Sequence, residues 1–331
     1  MPPNVRGRIP GPTGAEGRIP EFGGLRRRGA RRWGPLGPPE RPLLAQLTPD
    51  EEPETATDAT AAGGEVRLVE PSAVSGQPTA LVDYDIPLFS GQGTPLATEV
   101  VQGNLDNCPV AATLAALAHA RPEVIQNMLS ERYARVRSRV AGDPQGRYPH
   151  ESDRLVTVRL PGAQPVQVSG LLWRMWGAIA YAHSPEGTVS WMSYIEKAYA
   201  SQFSGGYQTL SQVGAEAPGV PDTREIFAAL TGSWLLVHLV ENTLYRADGS
   251  ADSLDPRGLA RLLGAAQAHP TIAASRSGLP PGGLIEANHS YAVLGFRGGA
   301  VQLLNPRGGP RVQLDLGAFR EAFQAVVQTE T

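Results

Sequence analysis

Hydrophobic and polar positions fall into a regular rhythm from about Leu81 onward and show none before it. Over residues 108–120, Val110, Leu114 and Leu117 recur at helical spacing, and Pro109 sits in the first turn, where its missing N–H costs nothing. Ala111, Ala112, Ala115 and Ala116 keep this helix slim, so another layer can approach it closely. A second helical piece is predicted near 123–135, and 155–160 with 166–168 has hairpin character around Pro161-Gly162. Helix returns at 191–200, where Trp191, Ile195, Ala198 and Tyr199 share a face. A helix ending at Ala229, a strand over 234–240, a helix over 256–268 and a strand over 271–274 follow. Strands over 291–296 and 300–304 flank Arg297-Gly298-Gly299, which supplies turn chemistry for an antiparallel hairpin. A third strand is predicted at 311–316, and a closing amphipathic helix carries Phe319, Phe323 and Val326. Helices first and sheet later predict an α+β fold in two lobes, a helical lobe over about 79–230 and a sheet lobe over about 231–331.

Composition accounts for the silent N-terminal stretch. Residues 1–45 hold nine Pro and nine Gly, well above the roughly 25–30% that marks non-periodic low-complexity sequence. They carry nine Arg against Glu16, Glu21 and Glu40, and residues 46–75 reverse the sign with seven acids against Arg67. Neither block has the apolar residues to offset ordering entropy, so residues 1–78 are read as a disordered arm and acidic linker. The cluster Arg26, Arg27, Arg28, Arg31 and Arg32 is a candidate tether for a delivery or regulatory partner, but arginines alone select none. Across 331 residues, 29 basic against 32 acidic side chains give a net charge of -3, which argues against a dedicated nucleic-acid binder. No apolar run reaches the length of a membrane span, and the N-terminus lacks the apolar core of a secretory signal. The expected location is cytoplasmic, or outside the cell by a non-classical route.

Cys108 is the single cysteine, which excludes an intramolecular disulfide and a multi-thiolate metal site. Lone cysteines are mostly small buried hydrophobes, so other groups must converge before it counts as a nucleophile. Its place at a helix start is one such feature, because positive potential there favours a thiolate. Of the six histidines, His119 lies about 16 Å along the same helix and is too far to act as base. His150 and His183 sit in loop-like sequence, His269 at a helix end and His238 inside an apolar strand. His289 immediately precedes the strand 291–296, where a rigid element can aim an imidazole. If the hairpin closes around residue 297, His289 falls opposite Asn305, whose side-chain oxygen would set the imidazole tautomer. Gln102, six residues ahead of Cys108, can fold its amide beside the thiol through a loop freed by Gly103, with the Cys108 N–H as second oxyanion donor.

These residues stand in blocks that resemble the calpain-type cysteine peptidases: Gln102-Gly103 with Leu105 and Cys108; His183-Ser184, Trp191 and Glu196-Lys197-Ala198-Tyr199-Ala200; Gly205-Gly206-Tyr207; Gly283-Leu284-Ile285, His289-Ser290-Tyr291-Ala292-Val293; Asn305-Pro306 with Gly308. The resemblance covers roughly 86–331, within a catalytic domain expected over 79–331. It implies a papain-like core and a cysteine endopeptidase acting on protein or peptide substrates through a thioester acyl-enzyme. It gives Cys108 the role of nucleophile, His289 of base and acid, Asn305 of orienting residue and Gln102 of oxyanion donor. Three positions depart from the family: Asp106-Asn107 stands for its Gly-Asp, Pro109 for its Trp after the cysteine, and Arg307 for its Trp after Asn-Pro. That last Trp shields the His/Asn bond in relatives, so here the bond is either wetter or shielded by another residue such as Trp173 or Trp176. No EF-hand loop is present, and no cofactor, calcium included, is expected. A deamidase or acyltransferase on the same scaffold, or a catalytically silent binding module, are the alternatives.

Overall fold

A computed structural model describes residues 58–61 and 65–330, apart from 78, 92, 143–147, 204 and 213–221. The expected disordered arm over 1–57, with its arginine cluster, lies outside the described residues. The chain forms β1 (Asp58–Ala61), β2 (Glu65–Glu70), β3 (Thr79–Asp83), α1 (Cys108–Ala120), α2 (Pro122–Met128), β4 (Leu129–Val140), β5 (His150–Val158), β6 (Val166–Ser169), β7 (Leu171–Met175) and β8 (Ala178–Ile179). There follow α3 (Trp191–Ala200), α4 (Gly206–Leu210), α5 (Thr223–Thr231), β9 (Leu235–His238), β10 (Thr243–Arg246), β11 (Ala251–Ser253) and α6 (Pro256–Gly264). The chain closes with β12 (Thr271–Ser275), β13 (Ser290–Arg297), β14 (Ala300–Leu304), β15 (Val312–Asp315), α7 (Leu316–Ala322) and β16 (Phe323–Gln328).

Three expectations change. The helix near 123–135 stops at Met128, and β4 takes over, mostly exposed over its first part and buried at Val136 and Ser138, pairing antiparallel with β5. The first half therefore carries a five-stranded sheet, β1-β2-β4-β5-β6, and a three-stranded one, β3-β7-β8, beside its helices. The closing helix is also cut short, because Phe323 to Gln328 run as β16 between β9 and β12. Helical periodicity and a largely buried strand look alike over a segment as short as Phe323–Gln328, and pairing on both edges decides for the strand. The acidic linker, finally, contains β2, which lies parallel to β4, so order begins before residue 79.

The second half is an eight-stranded antiparallel sheet, β11-β10-β9-β16-β12-β13-β14-β15. Its strands alternate with period two. Ile272, Ala274, Ala292, Leu294, Ala325 and Val327 join one core with α1, while Ala273, Tyr291, Val293 and Val326 face the other way, toward α6 and α7. The sheet is thus covered on both faces. Helix α1 is buried from Cys108 through Ala118 and packs on β12, β13 and α5. A helix apolar all round has no solvent face, which is why both halves of the chain close over it.

Two adjacent charges on α3 are also buried. Lys197 is fully enclosed, 2.5 Å from Glu70 Oε2, and it donates to the carbonyls of Ser169 and Leu171. Ser169 Oγ donates to the other Glu70 oxygen. Burial pulls the ammonium toward its neutral form, and Glu70 opposes this. Glu70→Ala leaves Lys197 enclosed without its counter-charge and is expected to lower stability by about 3–5 kcal/mol, read as a lower urea midpoint. A chain beginning at residue 79 should lose a comparable amount relative to one beginning at 58.

Candidate active site

Cys108 is the first residue of α1, where backbone N–H groups have no intrahelical acceptor. The residue before it does not cap the helix with its side chain. Asn107 Nδ2 donates instead to Glu196 Oε1 at 2.9 Å, and the other Glu196 oxygen accepts the Ala182 N–H at 2.8 Å. Glu196 is fully buried, and burial pushes its carboxyl up to about 7 against the pull of those two bonds. Helix α3 therefore holds the turn that presents the cysteine. Gly103 allows the segment ahead of it to pass close to β8, since a Cβ there would lie 2.1 Å from the Ala180 carbonyl oxygen.

His289 is held by the end of β12. Its N–H donates to Ser275 Oγ and its carbonyl accepts the Ser275 N–H, each at 2.9 Å. Asn288 turns the chain into β13 with φ of 53°, a conformation that Asn tolerates. Ser290 has the same strand parity as Ala292 and Leu294, so it faces α1, and it is among the groups that pull the Cys108 thiol down. His289 Nε2 meets Asn305 Oδ1 at 2.8 Å.

The register behind that contact differs from the expected one. The hairpin turns on Gly298 and Gly299, both at positive φ, and pairs Arg297 with Ala300 and Ala292 with Leu304. His289 and Asn305 are diagonal neighbours at the strand ends rather than opposite one another. A two-residue glycine turn matches strand twist better than the three-residue turn the sequence suggested, and long side chains still meet across a diagonal.

Gln102 bridges the two halves. Its N–H donates to the Pro306 carbonyl, next to Asn305, and its Nε2 donates to the Leu105 carbonyl, both at 2.6 Å. An amide nitrogen carries two hydrogens, so one remains after Leu105 is satisfied. The structure thus gathers Cys108, Ser290, His289, Asn305 and Gln102 on three converging segments. It takes the other histidines elsewhere: His119 Nε2 meets the Leu294 carbonyl at 2.8 Å, and His183 pairs with Val101 in a β-bridge.

Burial is the main electrostatic influence on the pair. It raises the Cys108 thiol above its ordinary value, with a bond from Ser290 pulling back, Asp106 adding to the rise and Arg307 opposing it. Burial likewise lowers His289, which the Asn305 bond, Glu286 and Asp106 raise and Arg307 lowers further. Both groups therefore favour their uncharged forms at rest.

The suggested tryptophan shields are placed elsewhere. The Trp173 indole donates to the Pro71 carbonyl inside the first half, and Trp176 is 58% exposed at the β7–β8 turn. The ring against His289 is Tyr291, edge-on at 5.1 Å. Arg307 occupies the expected tryptophan position with a charge network: Nη1 reaches Glu286 Oε2 at 3.0 Å and Nη2 lies 3.8 Å from Asp106. Ser275 and Glu286 carried no signal in the sequence, since a serine at a strand end and an acid in a glycine-rich loop are ordinary there. Among the described residues, no group of three or more His, Cys, Asp or Glu side chains gathers to hold a metal ion, and no helix is long and apolar enough to cross a membrane.

Residues 77–308, more than half of the chain, match the family model described as calpain family cysteine protease, and this span holds Gln102, Cys108, His289 and Asn305. Comparison with curated proteins finds no match.

A raised thiol keeps the thiolate fraction small at neutral pH. Iodoacetamide labelling of Cys108, followed by mass spectrometry, is expected to accelerate steadily from pH 6 to 9, whereas a thiolate already formed at acid pH would give a flat profile.

Proposed function

The chain belongs to the calpain family of cysteine proteases, and we propose that it is a cysteine endopeptidase on a two-lobed papain-like core. Cys108 is the nucleophile, His289 the base and acid, Asn305 the orienting residue, and Gln102 with the Cys108 N–H the oxyanion donors. The observation that carries this reading is the 2.8 Å contact of His289 Nε2 with Asn305 Oδ1.

An amide oxygen only accepts, so Nε2 carries the hydrogen and Nδ1 keeps the basic lone pair. Nδ1 takes the thiol proton as sulfur attacks the scissile carbonyl carbon, and the negative charge moves to the carbonyl oxygen. The free Gln102 N–H and the Cys108 N–H stabilise that oxygen. The imidazolium then gives its proton to the leaving amine as the C–N bond breaks, which leaves a thioester on Cys108. Water attacks the thioester, Nδ1 takes its proton, and the carboxylic acid departs as the thiol is restored. Protein or peptide substrates follow from this chemistry.

Calcium has no assembly step to perform in this reading. The Gln102 to Pro306 bond and the packing of α1 on β13 already join the two halves. Cleavage is expected to persist unchanged in excess EGTA, and its loss there, restored by calcium, would overturn this point.

New protein N-termini in a cell lysate should appear with the wild-type chain and vanish with Cys108→Ala or His289→Ala. Deamidated glutamines without new termini would point to a deamidase, and no change of either kind to a silent module.

A further inference from the structure

Asn305 makes three side-chain hydrogen bonds, and their polarity dictates which way its amide faces. Oδ1 accepts from His289 Nε2 at 2.8 Å and from the Arg307 backbone N–H at 2.9 Å, while Nδ2 donates to Glu286 Oε1 at 2.8 Å. Turning the amide over would set Nδ2 against two donors and Oδ1 against a carboxylate. Glu286 is thus the group that engages the nitrogen and makes the turned state costly.

We propose that Glu286 is a positioning residue for this reaction: through Asn305 it holds His289 with the hydrogen on Nε2, and Arg307 holds Glu286 in turn. The inference rests on the peptidase reading of the same site, but the state of the imidazole can be read without substrate. Glu286 is suited to the task because its backbone is anchored independently. Its N–H donates to the Tyr291 hydroxyl at 2.8 Å, and its carbonyl accepts from Ser275 Oγ, the same atom that accepts the His289 N–H. One serine therefore sets the spacing between Glu286 and His289, and removal of the Glu286 side chain leaves the loop tied. The Glu286 and Arg307 side chains are 39% and 51% exposed. An ion pair so placed adds little stability, so what it supplies is orientation.

The charged groups that face His289 are Glu286, Arg307 and Asp106, and the Tyr291 ring lies edge-on beside it. Glu286 and Asp106 favour the imidazolium and Arg307 opposes it. A positioning role in this field gives opposite responses to the loss of Glu286 and of Arg307, which general loosening of the loop would not produce.

The test uses the full chain with 15N-labelled histidine, whose ring shifts report the tautomer and titration of His289, together with Cys108 alkylation. Glu286→Ala is expected to mix the tautomers, to move the His289 titration downward by about one pH unit, and to slow alkylation at pH 7 about tenfold. On a peptide substrate kcat should fall while KM holds. Arg307→Met should keep the tautomer and move the titration upward. If Glu286→Ala does not fold, Glu286→Gln, which keeps an oxygen for Asn305 but no charge, should keep the tautomer and lower the titration. An unchanged His289 in the Glu286 variant, or shifts of the same sign in the Glu286 and Arg307 variants, overturns the proposal. Expected shifts in a chain that forms no new N-termini would sink the peptidase reading and leave this one standing.

Discussion

A helix with no polar face obliges the rest of the chain to surround it. Helix α1 is buried from its first residue, and the layers that cover it come from both halves: α5 from the first, β12 and β13 from the second. Once the apolar face of β13 is committed to α1 through Ala292 and Leu294, strand parity turns Ser290 toward the same helix, while His289, one residue earlier, is held by Ser275 and Asn305. The placement of Cys108 and of the strand that follows His289 is then a by-product of core packing. It also carries a cost, because burial desolvates Cys108 and His289 and favours their neutral forms.

Helix α3 shows how buried charge is used for placement. Glu196 and Lys197 are neighbours in sequence, both enclosed, and they serve different ends: Glu196 holds the turn before Cys108, and Lys197 anchors β2 through Glu70. Enclosed ion pairs add little net stability against apolar replacements, yet each partner is costly to leave alone. Such groups act as locating pins, since only one arrangement satisfies all of them. The Glu-Lys-Ala-Tyr block thus joins the turn before Cys108 to β2.

Where relatives place an indole over the His/Asn bond, this chain places a half-exposed chain of charges running from Asn305 through Glu286 and Arg307 toward Asp106. An indole shields by excluding water. The charges act instead by hydrogen-bond direction, and they connect the second half of the chain to the first, since Asp106 lies two residues ahead of Cys108.

Much of the site was legible in the residues themselves. Pro109 behind a lone cysteine marked a helix start, His289 and Asn305 flanked a glycine-turned hairpin, and Gln102 stood at the distance that a loop through Gly103 requires. Local chemistry of this kind is written in single residues and short spacings, so the chain alone determines it. The two-residue turn that shifts the hairpin register, the strand made of 323–328, and the order of β2 within an acidic stretch were decided by the tertiary structure. In each case the local pattern admits two answers, and a partner distant in sequence selects one: β9 and β12 for the last strand, β4 and Lys197 for β2. The same holds for Ser275 and Glu286, ordinary residues whose meaning comes from the hydrogen-bond partner that folding places beside them.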